Sequence, residues 1–208
     1  MSIVKLNNQG VKNATAFGSI TGLGSMIFIK KLTASSSATL SFVDGTDGVV
    51  LDDTYKEYVF MFNNVHASAG GVSVYLQFQG STNSGSSYGV NITSTYFDAI
   101  HGEDGAGGAL SYQTAFDLAQ STSFQSIATL LGGDNDNGTC GTLHLFNPSS
   151  TTFVKHFTCT MNHPAASDES KNSYIGGYFN TTSAIDAIQF KLSTNNLQTG
   201  DICLYGIA

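Results

Sequence analysis

The chain contains no arginine and no tryptophan, and charged side chains make up only 11% of its 208 residues. All eight basic residues are lysines, and the formal net charge is −7 at pH 7. Nucleic-acid binding needs clustered basic side chains to contact phosphates. The only adjacent basic pair is Lys30–Lys31, so we expect no nucleic-acid partner.

Long hydrophobic runs are also missing. No apolar stretch approaches the roughly 20 residues that a membrane-spanning helix needs. The segment Met1–Asn8 has no apolar core followed by a small-residue cleavage site, so we expect no secretory signal. A polybasic patch that would bind a membrane surface is absent as well, and no membrane partner is expected.

Strong helix formers are scarce, since glutamate occurs only three times while β-branched, aromatic and glycine residues are common. Serine, threonine, asparagine and glycine supply 85 of the 208 positions. Solubility therefore comes from hydroxyl and amide groups more than from charge. This composition favours an all-β protein.

Short apolar runs separated by turn residues recur along the chain. The clearest is Val72–Gln79, in which Val72, Val74, Leu76 and Phe78 alternate with residues facing the other way. Further strands are predicted at 26–29, 39–42, 58–62, 90–97, 125–131, 142–146, 153–161, 174–179, 188–192 and 202–207.

The segments between these strands carry turn chemistry. We expect the strand at 125–131 to form a hairpin with 142–146 across Gly132–Gly138. Phe153 is predicted to face inward with Phe157, and residues 163–172 are predicted to form a polar loop.

Ten or eleven short strands with turn signals between them indicate an antiparallel β-sandwich. No composition shift divides the chain, so we predict a single sandwich domain over residues 25–208. Residues 1–24 are polar and punctuated by glycine, and they are predicted to form an extended N-terminal arm. By fold-level analogy the strand order is expected to be jelly-roll-like.

No residue is assigned a catalytic, cofactor-binding or metal-binding role, and no cofactor is expected. The cysteines Cys140, Cys159 and Cys203 contain no C-x-x-C pair, and the last two lie in apolar alternating runs typical of core positions. His144 and His156 become neighbours if their strands pair across the loop at 147–152. The five histidines, none of which shows metal-binding spacing, are His66, His101, His144, His156 and His163.

Two acidic segments suit a hard cation in part. Asp134–Gly138 alternates carboxylate and amide oxygens like the start of a calcium loop, but Gly138 stands where a third ligand belongs and no glutamate follows at the required distance. We interpret this segment as a polar turn. The second acidic group, with the same two interpretations, is Asp44, Asp47, Asp52 and Asp53.

Catalytic motifs are equally sparse. The chain has no G-x-S-x-G elbow and no phosphate loop. Asp98 with Glu103, or Asp117 with a partner, are the carboxylates available for glycoside hydrolysis, and nothing in their spacing singles them out. We expect no enzymatic activity.

Aromatic residues have two interpretations. Exposed tyrosines stack on sugar rings in carbohydrate-binding modules, whereas buried ones pack in cores and subunit contacts. The tyrosines considered for sugar binding are Tyr55, Tyr75, Tyr88, Tyr96 and Tyr112.

Three segments, Gln77–Tyr88, Gly141–Phe157 and Gly200–Gly206, carry strand and turn patterns in which a strand runs into a Ser-, Thr- and Gly-rich turn. Together they resemble small virion proteins of tailed phages of marine and cyanobacterial type, over roughly residues 25 to 208. The resemblance implies a β-sandwich on the virion, as capsid decoration or part of a fibre. It implies no catalytic residues.

The sequence therefore predicts a non-enzymatic phage virion structural protein, located in the virion, that contacts other capsid or tail proteins. Because edge strands need partners, we expect self-association into a homo-oligomer, with a trimer favoured. The alternative is a carbohydrate-binding, receptor-binding module of a virion whose partner is a host-surface glycan.

Overall fold

The computed structural model describes residues 25–208, which form twelve β-strands joined by turns, with no helix in that range. The predicted N-terminal arm, residues 1–24, lies outside the described residues. The strands are β1 Met26–Thr33, β2 Thr39–Val43, β3 Glu57–Ala67, β4 Leu76–Ser81, β5 Ile92–Gly102, β6 Ala109–Tyr112, β7 Gln125–Ala128, β8 Thr139–Phe146, β9 Lys155–Ala165, β10 Glu169–Phe179, β11 Ala187–Leu192 and β12 Leu197–Ile207.

Two antiparallel sheets of unequal size pack face to face. The large sheet has eight strands in the order β1-β12-β3-β8-β9-β10-β5-β6, and the small sheet has four in the order β2-β11-β4-β7. The predicted all-β class and antiparallel two-sheet architecture are confirmed. The jelly-roll-like strand order stays a prediction.

Phenylalanine rings join the two sheets. Phe78 of β4 packs edge-to-face against Phe157 of β9, with ring centroids 5.0 Å apart, and against Phe179 of β10 at 6.0 Å. Phe190 of β11 meets Phe62 of β3 at 5.1 Å in the same geometry. Edge-to-face pairs are a favoured aromatic arrangement, and burial of these rings removes a large apolar area from water.

The hairpin of β9 and β10 shows most clearly why these residues form strands. Phe157, Cys159 and Met161 of β9 are buried while the residues between them are exposed, which is the period of two that a half-covered strand requires. β10 pairs with β9 over eleven consecutive residues without a register shift. The predicted polar loop at 163–172 is therefore wrong, because both strands extend through it to the short turn at 166–168.

The predicted strand at Val72–Gln79 is wrong in its first half. Gly71 adopts a φ of +151°, and the Val74 amide donates to the Gly71 carbonyl at 3.0 Å, so a turn occupies the segment before Leu76. Val72 is 64% exposed there. β4 begins only at Leu76.

The predicted hairpin between 125–131 and 142–146 is also wrong. β7 pairs with β4 in the small sheet, whereas β8 lies between β3 and β9 in the large one. Gln125 in β7 is buried, and its side-chain amide donates to the carbonyls of Phe116 and Ser126 at 2.9 and 2.8 Å. Because a polar side chain can be buried when its hydrogen bonds are made inside the protein, the alternation of apolar and polar residues does not reveal such a strand.

Phe153 does not face inward as predicted. Ser150 Oγ accepts the Phe153 amide at 3.0 Å in a bend that precedes β9, and Phe153 is 69% exposed. The strand begins instead at Lys155, which is fully buried and donates from Nζ to the Thr181 carbonyl at 3.0 Å.

Phe78→Ala tests the central role of this ring between the sheets. Phe78 is fully buried, so its loss should leave a cavity and lower the free energy of unfolding by about 3–5 kcal/mol. Urea unfolding followed by circular dichroism measures the change. The matched control Phe153→Ala should change it by less than about 0.5 kcal/mol, and equal effects of the two substitutions would contradict this assignment.

Candidate functional site

The exposed large apolar side chains of residues 25–208 concentrate at the two edges of the large sheet. At the first edge, Met26 and Phe28 of β1 are 42% and 56% exposed. Phe28 packs edge-on against Tyr205 of β12, with ring centroids 5.6 Å apart. Two further exposed residues, Val72 and Phe153, lie outside the strands.

The second edge is formed by β6 and its neighbour β5. All four residues of β6 are exposed, including Leu110 at 73% and Tyr112 at 53%. Phe97 of β5 pairs with Tyr112 in the register and stacks on Tyr174 of β10 at 5.0 Å. This edge thus presents one apolar and aromatic surface on an open strand.

The two edges differ in their charged side chains. At the β1 edge, Lys31 Nζ lies 3.1 Å from Asp201 Oδ2, and Lys30 Nζ donates to the Asp47 carbonyl at 2.9 Å. The lysine and the hydroxyl of Thr33 together lower the pKa of Asp201, with the hydroxyl as the larger cause.

Carboxylates gather at the β6 edge, where the turn before β6 meets the turn between β9 and β10. The Glu103 amide donates to the Asp168 carbonyl at 2.9 Å. Asp104, Asp168 and Glu169 line an open depression of about 320 Å³ between the two turns. The β6 edge therefore gathers carboxylates, whereas the lysines of the β1 edge lie beside Asp201 and Asp47.

Between the edges, the outward surface of β9, β10 and β5 bears no Asp, Glu or Lys. Its outward positions hold threonine, serine, asparagine, histidine, proline, glycine, alanine, tyrosine and phenylalanine. Interface centres are depleted of charge and enriched in aromatic side chains. A surface of this kind suits contact with another protein.

A separate pocket of about 330 Å³ opens at one end of the sandwich. Asn83 orders its rim by donating from Nδ2 to Ser87 Oγ at 2.8 Å. The Asn180 amide donates to the Asn91 carbonyl at 2.7 Å on the opposite side. The side chains that line the pocket include Thr82, Ser87, Tyr88, Asn91, Asn180 and Thr181.

A third constellation is buried between β5, β9 and β10. Lys171 Nζ lies 2.7 Å from Asp98 Oδ2, and the side chains are 5% and 1% exposed. Gln113 Nε2 donates to Asp98 Oδ1 at 2.9 Å. Nearby, Tyr96 donates its hydroxyl proton to Ser173 Oγ at 2.7 Å, and burial raises the pKa of Tyr96 to about 12.

His163 borders this constellation and is 1% exposed. Its Nε2 lies 2.7 Å from the Thr129 carbonyl, an acceptor, so Nε2 carries the proton and Nδ1 is a free base. Nδ1 is buried without a hydrogen-bond partner. The pKa of His163 is lowered from 6.5 to about 4, chiefly by burial and to a smaller extent by Lys171, while the hydrogen bond to the Thr129 carbonyl and the charge of Asp98 act in the opposite direction.

The chain matches no protein-family model, no curated protein and no solved structure.

In residues 25–208 there is no helix whose length and apolar character would let it span a membrane.

The acidic segments considered as cation sites form turns. Within Asp134–Gly138, the Asn137 amide donates to the Asp134 carbonyl at 2.9 Å. Asp44 Oδ1 accepts the Leu51 amide at 2.8 Å, and Asp52 Oδ1 accepts the Thr54 amide at 2.8 Å. Over the described part of the chain, no three His, Cys, Asp or Glu side chains come together to hold a metal ion.

The predicted neighbourhood of His144 and His156 is confirmed by the pairing of β8 with β9. His144 pairs with Thr158, which places His156 diagonally across on the same outward face. The carboxylate beside them is Glu57, whose Oε1 lies 2.6 Å from His144 Nδ1. The sequence pattern did not indicate this glutamate.

The candidate carboxylates and tyrosines separate widely in the structure. Asp98 is buried, whereas Glu103 lies in the turn before β6 and Asp117 accepts the Tyr112 hydroxyl at 2.7 Å. Tyr96 is fully buried, so its predicted availability to a sugar is wrong. Tyr55, Tyr75 and Tyr88 are half-buried, which leaves Tyr112, 53% exposed, as the most accessible of that set.

Sequence reasoning missed Lys171, Leu110 and Phe97 as functional residues. Lys171 was hidden because its segment was interpreted as a loop. Lys171 lies two and four positions before Ser173 and Ile175, so strand alternation would have placed it with them on the inward face. Leu110 and Phe97 become notable only when β6 is known to be an edge strand.

His163→Phe tests the buried neutral histidine. The pKa of His163 is lowered in the folded chain, so below pH 6.5 the unfolded chain binds the extra proton and folding loses stability as pH falls. The loss begins near pH 6.5 and is complete near pH 4, and it amounts to about 3 kcal/mol. Above pH 6.5 the histidine is neutral in both states and contributes no pH dependence.

Urea unfolding at a series of pH values measures this effect. Subtraction of the variant's free energy of unfolding from the wild-type value at each pH removes the contribution of the carboxylates. This difference should fall by about 3 kcal/mol between pH 7 and pH 4. His156→Phe, at an exposed position of the same strand, should leave the slope unchanged. Parallel curves for wild type and His163→Phe would refute the assignment.

Proposed function

We propose that this chain is a non-enzymatic structural protein of a phage virion, a capsid decoration or short-fibre component that self-associates on the particle surface. The observation that carries self-association is the pair of open, apolar edges on one sheet, with Phe28 exposed at the first and Leu110 at the second. The virion assignment draws on the resemblance of segments such as Gln77–Tyr88 to small phage virion proteins.

The mode of association follows from the difference between the edges. An open edge strand exposes unpaired backbone groups that readily pair with another strand. Joining unlike edges brings Lys30 and Lys31 of the β1 edge toward the carboxylates of the β6 edge, although Lys31 already pairs with Asp201 within its own chain. A contact between two different surfaces of the same protein is heterologous. Copies joined in this way form a closed ring when the rotation between neighbouring copies divides a full turn evenly.

A ring of three copies is the state we favour. The net charge of −7 makes copies repel at long range, so the contact depends on strand pairing and on the apolar side chains of the two edges. The partners of such a ring are other capsid or tail proteins, and its location is the virion.

Leu110→Lys tests the β6 edge. The wild-type chain should have the solution mass of three chains, and a charge placed at the centre of the apolar edge should produce monomers. Multi-angle light scattering at micromolar concentration measures the mass.

Phe153→Lys is the matched control, because Phe153 is 69% exposed and Leu110 is 73% exposed, but Phe153 lies outside the strands. It should leave the trimer intact. A wild-type chain that is monomeric at this concentration, and still monomeric in the assembled particle, would refute self-association.

The pocket beside Tyr88 favours a second function, a carbohydrate-binding module that recognises a host-surface glycan. Its volume lies at the lower end of the range for small-molecule sites. It offers hydroxyl and amide groups and one aromatic ring, with no charged side chain in its lining. That chemistry suits a neutral sugar, because hydroxyls and amides both donate and accept hydrogen bonds.

Tyr88→Ala tests this second function. Loss of an aromatic contact of about 1 kcal/mol should weaken glycan binding roughly five- to tenfold on an array of neutral host-surface glycans, read by fluorescence. Tyr112→Ala, which removes an exposed tyrosine far along the sheet, should bind like wild type. Absence of any bound neutral glycan, or equal binding by Tyr88→Ala and wild type, would overturn it.

A further inference from the structure

The buried pair of Lys171 and Asp98 has no role in either proposed function. Both side chains lie on inward positions of neighbouring strands, β10 and β5, with Nζ 2.7 Å from Oδ2 and almost no exposure to solvent. Removal of two such charges from water costs several kcal/mol per ion in proteins. A sandwich interior of this kind gains nothing from ionic charge that apolar side chains would not supply.

The geometry around the pair differs from that of an ordinary buried salt bridge. Asp98 Oδ2 has no hydrogen bond of acceptable geometry, although the ammonium of Lys171 lies beside it. The other carboxylate oxygen, Oδ1, accepts a hydrogen bond from Gln113 Nε2 at 2.9 Å. The two carboxylate oxygens of Asp98 therefore have different surroundings: Oδ1 accepts a hydrogen bond from the neutral Gln113 amide, and Oδ2 lies beside the Lys171 nitrogen.

We propose that Lys171 and Asp98 condense into an intramolecular amide that covalently links β10 to β5. The Lys171 nitrogen attacks Asp98 Cγ, so that the Nζ–Cγ bond forms and the Cγ–Oδ2 bond breaks. Oδ2 leaves as water with two protons from the ammonium group, and the remaining Nζ proton stays on the amide. No oxidant, reductant or further reactant is needed.

Each step has a group in place. The first proton passes from Nζ to Oδ2 across their 2.7 Å separation, which frees the nitrogen lone pair for attack on Cγ. In the tetrahedral intermediate the negative charge develops on Oδ1, where the Gln113 amide already donates.

The base that suits the second proton is His163. It pairs directly with Lys171 across β9 and β10, and directly opposed side chains lie about 5 Å apart at Cβ. Its Nδ1 is an unprotonated, unpartnered nitrogen in the same buried region. An acceptor of this kind takes the proton that the attacking amine releases and returns it to the leaving oxygen.

Mass spectrometry of the intact chain tests the proposal. Chain recovered unfolded from inclusion bodies and kept in urea should have its full mass, and refolding at neutral pH should lower the mass by one water molecule. An unchanged mass after several days in the folded state would overturn the proposal and leave a non-covalent ion pair.

Trypsin digestion locates the link. The chain has no arginine, so trypsin cuts only after lysine, and an acylated Lys171 is no longer a cleavage site. The linked chain should give one species in which residues 57–155 are joined to 156–191 through Asp98 and Lys171. A free 172–191 peptide at full yield would contradict the link.

Substitutions separate the contributions. Lys171→Met should keep its full mass after refolding, whereas Lys155→Met, at the other buried lysine, should still lose water. Gln113→Leu and His163→Phe should slow the mass loss at least tenfold, and a role of these side chains in folding alone would leave that rate unchanged in molecules already folded. Equal rates in all folded variants would remove both residues from the mechanism.

Discussion

The edge-to-face packing of phenylalanine rings between two sheets of unequal size is the constraint on which this structure depends. Phe78 and Phe190 of the small sheet reach Phe157, Phe179 and Phe62 of the large sheet. Four strands covering eight leave the inner surfaces beyond the small sheet to be covered by loops, and leave the whole outer surface to solvent. The buried polar constellation lies against such loops, since its partners Gln113 and Thr129 belong to segments outside the strands.

Much of the fold was accessible from the sequence, and the failures have physical reasons. Scarce charge and abundant β-branched, aromatic and hydroxyl residues indicated an all-β sandwich, and the alternation near Phe157 located β9. Reasoning from hydropathy failed where polar side chains are buried and satisfied, as at Gln125 and Lys171. It failed again at Phe153, which lies in a bend before β9 where Ser150 Oγ accepts its amide and its ring is exposed.

The candidate sites were less accessible because each is a product of topology. Lys171 and Asp98 lie 73 positions apart in the sequence and meet only because β10 pairs with β5. Leu110 is an unremarkable apolar residue until its strand is placed at the end of a sheet. The pocket beside Tyr88 is closed on its far side by Asn180, which arrives from the loop after β10. The spacing of residues within one segment cannot show which distant segments meet. Once a strand is known, however, the alternation of inward and outward positions along it shows which side chains face the interior.

The position of β12 in the large sheet has a consequence for the order of folding. β12 pairs with β1 on one side and with β3 on the other, although more than a hundred residues separate it from either. The β9–β10 hairpin closes a turn of a few residues, so its contacts are local and form early. β1, in contrast, finds its neighbour only after the last of the twelve strands has arrived. We expect a topology with such distant pairings to fold slowly, on the millisecond-to-second scale typical of sandwiches, and β1 cannot pair before β12 is in place.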